Sequence, residues 1–197
     1  MTVRIETYSG RAIAPYIDDL ARLRIQVFRD FPYLYDGEMD YEANYIATYA
    51  QSPDSLFVLA IDGSNVIGAS TGIPMRDETP AFKAPFIGLG YNPAKIFYFG
   101  ESVLLPAYRS TGLGVRFFEK RENYARQSGA FTTCCFCAVE RRQDHPLRPA
   151  DYQPLDRFWN KRGFFHRPEL RTQYSWRDVG DVHETDKPMS FWVKELN

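Results

Sequence analysis

Apolar and polar residues follow one another along this chain in two patterns, one helical and one extended. Apolar residues three or four positions apart predict helices, whereas alternation or a short continuous apolar run predicts strands. Helices are predicted over residues 14–28, 41–50 and 154–162, with a further helix that opens within 109–114 and ends at Gly129. Strands are predicted over residues 3–8, 56–61, 66–73, 95–105, 131–139, 170–176 and 189–193.

The predicted order is therefore β-α-α-β-β-β-α-β-α-β-β, which indicates a mixed α/β fold with helices on both faces of one sheet. Residues 75–94 are long for a loop, and such segments are often functional or carry a short helix. We find no internal repeat or linker, so a single domain over residues 1–197 is expected.

The central stretch runs from strand to tight loop to helix over residues 97–129. Pro106 ends the strand because proline cannot donate a ladder hydrogen bond. The helix that follows is amphipathic, with Leu113, Phe117 and Ala125 on its apolar face. Arg121 falls inside that apolar stripe, so it must either extend to solvent or find a partner.

Composition and charge exclude several classes of function. Of 197 residues, 44% are hydrophobic and 25% are charged, which is an ordinary globular composition. The formal net charge of −1 gives no electrostatic footprint for nucleic acid. No apolar run approaches the roughly 20 residues of a membrane span, and the N-terminus lacks a signal-peptide core. We therefore expect a cytoplasmic protein that binds neither nucleic acid nor membrane.

The three cysteines, Cys134, Cys135 and Cys137, lie in one short predicted strand. Neighbouring side chains of a strand point to opposite faces, which opposes both a metal cluster and a disulfide. We expect buried, reduced thiols, as in a cytosolic core. The three histidines have no partner at metal-ligand spacing, so no metal is expected.

The loop before the central helix has the features of a phosphate site. The first turn of a helix presents unpaired N–H groups and a positive dipole end. Gly112 and Gly114 let a ligand approach the backbone, and Arg109 adds a charge. A Walker loop would need Gly-Lys-Ser/Thr, and a dinucleotide fingerprint would need a third glycine at position 117, which is Phe. Neither motif fits this loop.

What fits is Arg-x-x-Gly-x-Gly after a strand that ends Val-Leu-Leu-Pro. This arrangement resembles the coenzyme A motif of the GCN5-related N-acetyltransferase (GNAT) superfamily. Residues 155–164, with an aromatic pair and a terminal Gly-Phe, resemble the second motif of that superfamily. The resemblance implies a mostly antiparallel sheet of about seven strands, splayed between its two central parallel strands.

The resemblance also implies acetyl-CoA as co-substrate and a set of contacts to it. The pantetheine arm would pair with strand backbone in the splay, with the Leu104 N–H polarising the thioester carbonyl. Backbone N–H groups from Ser110 to Gly114 would hold the pyrophosphate, and Arg109 would shape the loop. The implied cofactor-binding residues are Val103, Leu104, Leu105, Arg109, Ser110, Thr111, Gly112, Leu113, Gly114 and Trp159.

Direct transfer to an amine needs a base, since an amine with a pKa near 10 is mostly protonated at neutral pH. Family members often carry a carboxylate just before the splay, and here that residue is Glu101. An ion pair between Glu101 and a nearby arginine is the alternative. Trp159 occupies the position of the family's usual thiolate-protonating tyrosine, and indole cannot replace it. Solvent or another tyrosine (Tyr152, Tyr33 or Tyr35) would then protonate the thiolate.

The loop over residues 31–37 is unusually aromatic, and superfamily members often use this region as a wall of the acceptor site. Tyr33 and Tyr35 are therefore predicted to contact substrate, unless the loop simply covers the core. The predicted function is acetyl transfer to a small primary amine in a ternary complex, and a homodimer is left open. The alternatives are a non-catalytic acyl-CoA-binding module, suggested by Trp159, and a protein acetyltransferase, which an open acidic groove would favour.

Overall fold

The computed structural model describes residues 3–196, which fold around one mixed sheet. Its strands are β1 Arg4–Ser9, β2 Leu56–Asp62, β3 Asn65–Pro74, β4 Ile96–Tyr98, β5 Ser102–Leu104, β6 Thr133–Val139, β7 Phe165–Trp176 and β8 Thr185–Glu195. Its helices are α1 Ile17–Phe28, α2 Met39–Tyr49, α3 Pro80–Gly88, α4 Leu113–Ser128 and α5 Asp156–Asn160.

The strands lie in the order β1-β2-β3-β4-β6-β8-β7, and β5 pairs with β3 beside β4. Within residues 3–196, β4 and β6 are the one parallel pair, and every other pair is antiparallel. Strand β2, predicted as a continuous apolar run, is buried on both faces. The predicted mixed, mostly antiparallel sheet is thus confirmed.

The helices cover both faces of the sheet, as predicted. One apolar core lies under α1, α2 and α3, whose buried contributors include Leu20, Ile46 and Phe86. The other core lies under α4 and includes Phe117 and Phe118, with α5 packed at its edge. The amphipathic pattern of α4 explains its orientation, because its apolar stripe faces the sheet.

The predicted strand 95–105 is in fact two strands, which gives eight strands instead of seven. β4 and β5 both pair with β3, and a bend over residues 99–101 separates them. Only glycine fits the middle of this bend, since a Cβ on Gly100 would lie 2.6 Å from the Thr71 hydroxyl and 2.9 Å from the Tyr49 hydroxyl. The strand therefore bends where two side chains press against its backbone.

Other boundaries differ where local turns replace regular helix or where strands run on. Residues 10–16, partly predicted as helix, form tight 3-10 turns before α1. The predicted helix 154–162 is shortened to α5, and the predicted loop 75–94 contains α3. The last two strands are longer than predicted because each continues to pair with the other beyond its alternating core. Among the described residues, no helix combines the length and apolar character needed to cross a membrane.

Candidate active site

A gap opens in the sheet between β5 and the second half of β6. The Phe99 N–H donates to the Cys135 carbonyl at 2.8 Å, near the end of the parallel pairing. Beyond that point β5 pairs with β3, and β6 continues along β8. The edge of β5 that faces β6 therefore has free backbone groups, which can pair with an extended ligand chain.

The hydrogen bonds of β5 show which of its backbone groups face the gap. The Leu105 N–H donates to the Ile67 carbonyl at 3.0 Å, towards β3, whereas the Leu104 carbonyl accepts from Arg109 Nε at 3.2 Å on the other side. The backbone N–H and C=O groups of successive residues point to opposite edges of a strand. Those of Ser102 and Leu104 therefore face the gap, and those of Val103 and Leu105 face β3. Of the predicted pairing residues, Leu104 alone points into the gap, and Ser102 joins it.

Arg121 of α4 packs against the bend over residues 99–101. Its position in the apolar stripe of the helix predicted that it would extend to solvent or find a partner, and it has found partners. Its guanidinium is buried and donates to the carbonyls of Glu101 at 3.1 Å and Thr71 at 3.3 Å. It also donates to the Ser102 hydroxyl at 2.8 Å and lies 4.2 Å from the centre of the Phe99 ring. Burial lowers the pKa of Arg121 to about 9, so it stays charged at neutral pH.

The start of α4 presents unpaired N–H groups to solvent. Gly112 precedes the helix with a φ of 87°, a left-handed conformation that suits glycine. The Arg116 N–H donates to the Gly112 carbonyl at 3.1 Å, so the N–H groups of Leu113, Gly114 and Val115 have no acceptor within the helix. No side chain caps this end and no acidic residue lies in its first turn, which suits an anion.

A cavity of about 550 Å³ lies at the closed end of the gap, next to the point where the pairing of β4 with β6 stops. We call this closed end the vertex of the gap. Gly100 and Glu101 line it from the β5 side, and Cys137 lines it from β6. Tyr33 and Tyr35, which the sequence predicts to contact substrate, both lie in its wall. Further aromatic side chains complete the wall, among them Phe28, Tyr45, Tyr49, Phe82, Tyr98 and Trp176. Aromatic side chains are therefore the largest group in the wall of the cavity.

Glu101 is buried at the floor of this cavity and pairs with Arg24. The two side chains are 4% and 10% exposed, and Arg24 Nη1 lies 2.5 Å from Glu101 Oε2. Arg24 also donates to Glu42, and its guanidinium carbon lies 4.4 Å from the centre of the Tyr45 ring. Burial acts to lower the pKa of Arg24, but the charges of Glu101, Tyr45 and Glu42 and the hydrogen bond to Glu42 together outweigh it, and the net pKa is raised. The ion pair that the sequence left as an alternative for Glu101 is thus present.

A second carboxylate, Glu78, lies in the same cavity with a different environment. It accepts hydrogen bonds from the Tyr49 hydroxyl and from the Thr79 N–H, the latter at 3.0 Å. Burial raises the pKa of Glu78 above its usual value. Burial also raises the pKa of Tyr49, so the phenol stays neutral and donates. The Tyr49 hydroxyl lies next to Gly100, so this pair reaches the vertex of the gap.

The aromatic loop that carries Tyr33 is held in place by Arg141. Its guanidinium forms a two-pronged ion pair with Asp178, at 2.8 and 2.9 Å, and both side chains are nearly buried. It also donates to the carbonyls of Pro32 at 2.8 Å and Tyr33 at 2.7 Å. The segment over residues 140–153, to which Arg141 belongs, therefore contributes a structural contact to the cavity wall.

Trp159 and Tyr152, two of the four residues considered at the leaving thiolate, lie in different surroundings. Trp159 packs against Phe136 and Trp192, with ring centres 5.0 and 4.9 Å away. Tyr152 packs edge-on against Phe31 at 4.7 Å, beside the loop that carries Tyr33. Burial raises the pKa values of Tyr33 and Tyr152, so both phenols are protonated at neutral pH.

The cysteines are buried, free thiols, as expected from the sequence. Burial raises the pKa of each, to about 12 for Cys137. Cys137 Sγ lies 3.0 Å from the Tyr98 hydroxyl. Within the described part of the chain, no group of three His, Cys, Asp or Glu side chains is placed to hold a metal.

Sequence reasoning missed most of the polar floor of the cavity. Arg24, Glu42, Tyr49 and Glu78 come from three separate segments, and only the folded chain brings them together. One signal was present, since Arg24 falls among the apolar positions of α1. A charged residue on an apolar helix face needs a buried partner or a ligand.

Solved structures show which known proteins share this fold, although no protein-family model and no curated protein matches the chain. An acetyltransferase from Streptococcus agalactiae is 20% identical, with a TM-score of 0.62 over 98% of each chain. An acetyltransferase of the GNAT family from Staphylococcus aureus is 13% identical, with a TM-score of 0.62 over 100% of each chain. The PaiA N-acetyltransferase from Thermoplasma acidophilum, determined in complex with coenzyme A, is 15% identical, with a TM-score of 0.57 over 100% of each chain. The chain therefore has the fold of the GNAT acetyltransferases, as its loop and helix motifs predict.

Proposed function

We propose that this protein transfers the acetyl group of acetyl-CoA to a small primary amine. One observation carries the proposal: the free edge of β5 lies between a helix start that suits a phosphate and a cavity that contains buried carboxylates. The GNAT fold and the CoA complex of one structural neighbour support it. The aromatic cavity favours a small acceptor over a protein substrate.

The cofactor contacts follow from the backbone geometry. The pyrophosphate would bind the N–H groups from Ser110 to Gly114 at the start of α4, with Arg109 beside it. The pantetheine arm would lie along β5, where Ser102 and Leu104 face the gap. The Leu104 N–H would then donate to the thioester carbonyl oxygen, where negative charge develops during attack.

The reaction forms one bond and breaks one. The amine nitrogen attacks the thioester carbonyl carbon, the C–N bond forms, and the C–S bond breaks. The base first takes one proton from the ammonium, which frees the lone pair for attack, and the second proton leaves nitrogen to solvent once the C–N bond has formed. The CoA thiolate takes a proton from solvent, or from a phenol that solvent then reprotonates. Tyr33, Tyr35 and Tyr152 are the proposed phenols, because Trp159 packs on the sheet and has no acidic proton of suitable pKa.

Two carboxylates can serve as the base. Glu101 is the sequence prediction and lies at the vertex of the gap, but Arg24 occupies one of its oxygens at 2.5 Å. Glu78 has a raised pKa, which suits a general base near neutral pH. It can accept the proton through Tyr49, whose hydroxyl passes its own proton to Glu78 while receiving that of the amine.

A free-thiol assay of CoA release against a panel of amines and peptides tests the proposed function. We expect release with small primary amines, little with peptides, and an N-acetylated product by mass spectrometry. Binding of acetyl-CoA without release for any acceptor would contradict the enzyme and favour the non-catalytic acyl-CoA-binding module.

The choice of base is tested by Glu101→Gln and Glu78→Gln in parallel. The variant that removes the base should lose turnover by about a hundredfold or more, with acetyl-CoA affinity nearly unchanged. If Glu101 only balances Arg24, its variant should lose stability and keep turnover per folded molecule. Melting temperature and turnover measured on the same preparations separate these results. Wild-type turnover in both folded variants would refute both assignments.

A further inference from the structure

The cavity beside the gap carries more negative than positive charge. Seven carboxylates and two arginines line it. Arg177, one of these arginines, already pairs with Asp36 at 3.0 Å. Arg24, the other, is shared between Glu42 and Glu101. Glu38 and Glu184 are exposed and Asp77 pairs with Arg76, so the enclosed excess of negative charge comes from Glu42, Glu78 and Glu101. That excess is costly to keep away from water unless a cation joins it.

One buried carboxylate oxygen in this cavity lacks a well-formed hydrogen bond. Glu42 is completely buried, and its Oε1 has no well-formed hydrogen bond among residues 3–196, although the Tyr35 hydroxyl lies near enough for Glu42 to add to the rise that burial causes in the Tyr35 pKa. Buried charged oxygens without partners are rare in folded proteins because each costs free energy. Glu78 adds a second carboxylate whose partners in the described chain are a hydroxyl and an N–H, not a cation. Both carboxylates could accept hydrogen bonds from an ammonium group.

The aromatic walls also suit a cation. The guanidinium of Arg24 already lies 4.4 Å from the Tyr45 ring centre and 5.1 Å from that of Phe28. At the mouth, the hydroxyls of Tyr41 and Tyr174 are 2.9 Å apart, and Tyr41 is 49% exposed. Aromatic faces attract cations and also bury alkyl chains, so the walls fit an aliphatic chain with charged ends.

Building on the proposed function, we propose that the acceptor is an aliphatic diamine or polyamine. One amine is acetylated at the vertex of the gap and loses its proton to the base. The other stays protonated, is held by the free oxygen of Glu42, and offsets the excess negative charge. A neutral tail would leave this oxygen unpaired, and an anionic tail would be repelled.

Three six-carbon amines that differ only at the far end test this directly: 1,6-diaminohexane, hexylamine and 6-aminohexanoate. We expect kcat/KM for the diamine to exceed that for hexylamine at least tenfold, mainly through KM, with negligible turnover of the amino acid. Equal kcat/KM for the diamine and hexylamine would overturn the proposal.

The change in melting temperature of the CoA complex on addition of each of the three compounds tests the cation site independently of acetyl transfer. Selective stabilisation by the diamine without turnover of any amine would contradict the acetyltransferase and support the cation site. If the diamine neither binds selectively nor is turned over, both the cation site and the acetyltransferase are overturned.

Glu42→Gln should raise the ratio of KM for the diamine to KM for hexylamine at least tenfold, because any change that it causes in the Arg24–Glu101 pair affects both amines. Asp40→Asn, an exposed change on the same helix, is the matched control and should alter neither value. An unchanged ratio of the two KM values in a folded Glu42→Gln variant would overturn the assignment of Glu42. If that variant does not fold, the comparison of the three amines on the wild-type protein decides.

Discussion

Arg24→Met removes the guanidinium that lies between Glu42 and Glu101. Methionine keeps much of the length and apolar stem of arginine, so the change acts mainly on charge. The carboxylates are 1% and 4% exposed and would remain buried with no guanidinium between them. This variant therefore measures how strongly the polar floor of the cavity depends on its one shared cation.

The size of the effect follows from the burial of the three side chains. Breaking a buried ion pair by removing one partner costs about 3–5 kcal/mol. For a protein of this size, 1 kcal/mol shifts the melting temperature by about 2–4 °C, so we expect a fall of about 6–20 °C. The contact of Arg24 with the Tyr45 ring is lost as well and places the effect towards the upper end.

Urea and thermal unfolding of matched variants provide the assay. Arg22→Met on the same helix breaks an exposed pair with Asp19, whose side chains are 60% and 38% exposed, and should cost less than about 1 kcal/mol. The triple change Arg24→Met, Glu42→Gln and Glu101→Gln removes all three charges and should recover at least half of the loss. Equal destabilisation by Arg22→Met and Arg24→Met would refute the reasoning.

Two further predictions concern the thiols and the pH dependence of stability. Cys134, Cys135 and Cys137 should resist an aromatic disulfide reagent for minutes at pH 8 and react at once on unfolding, because burial raises their pKa values; rapid labelling of the folded protein would contradict this. The raised pKa of Glu78 means that the folded state binds the Glu78 proton more tightly than the unfolded chain does. The contribution of this proton to folding stability is therefore fully present below the unfolded pKa and is lost as pH rises through the folded pKa. Glu78→Gln should therefore gain stability relative to wild type between pH 4 and pH 7 in urea unfolding, and a constant difference would argue against the raised pKa.

Much of the fold could be predicted because periodicity is a local property. The apolar stripe of α4 and the double-sided burial of β2 follow directly from residue spacing. The division of strand 95–105 into β4 and β5 could not be predicted, since composition does not record which strand each segment pairs with. Helix α3 was obscured by its prolines, although Pro80 lies in the first turn, where proline is tolerated.

The candidate site also has one part that could be predicted from the sequence and one part that could not. The loop from Arg109 to Gly114 is continuous in sequence and could be predicted from a motif and from the physics of helix ends. The cavity floor joins α1, α2 and the segment after β3, so its members are distant in sequence. Arg24 gave the one local hint, a charge on an apolar face, and its partners Glu42 and Glu101 became visible only in the fold.

The measurement that tests the central claim most directly is calorimetric titration of acetyl-CoA into wild type, Gly114→Glu and Asn123→Glu. A glutamate at position 114 puts a side chain and a negative charge where the pyrophosphate is proposed to bind. The helix itself should tolerate it, since acidic residues suit a first turn and the added Cβ lies 3.4 Å from Phe158. Asn123→Glu adds the same charge at an exposed position in the middle of α4. We predict that wild type and Asn123→Glu bind acetyl-CoA alike and that folded Gly114→Glu does not. Equal binding by all three proteins would remove the start of α4 from the cofactor site and contradict the proposed function.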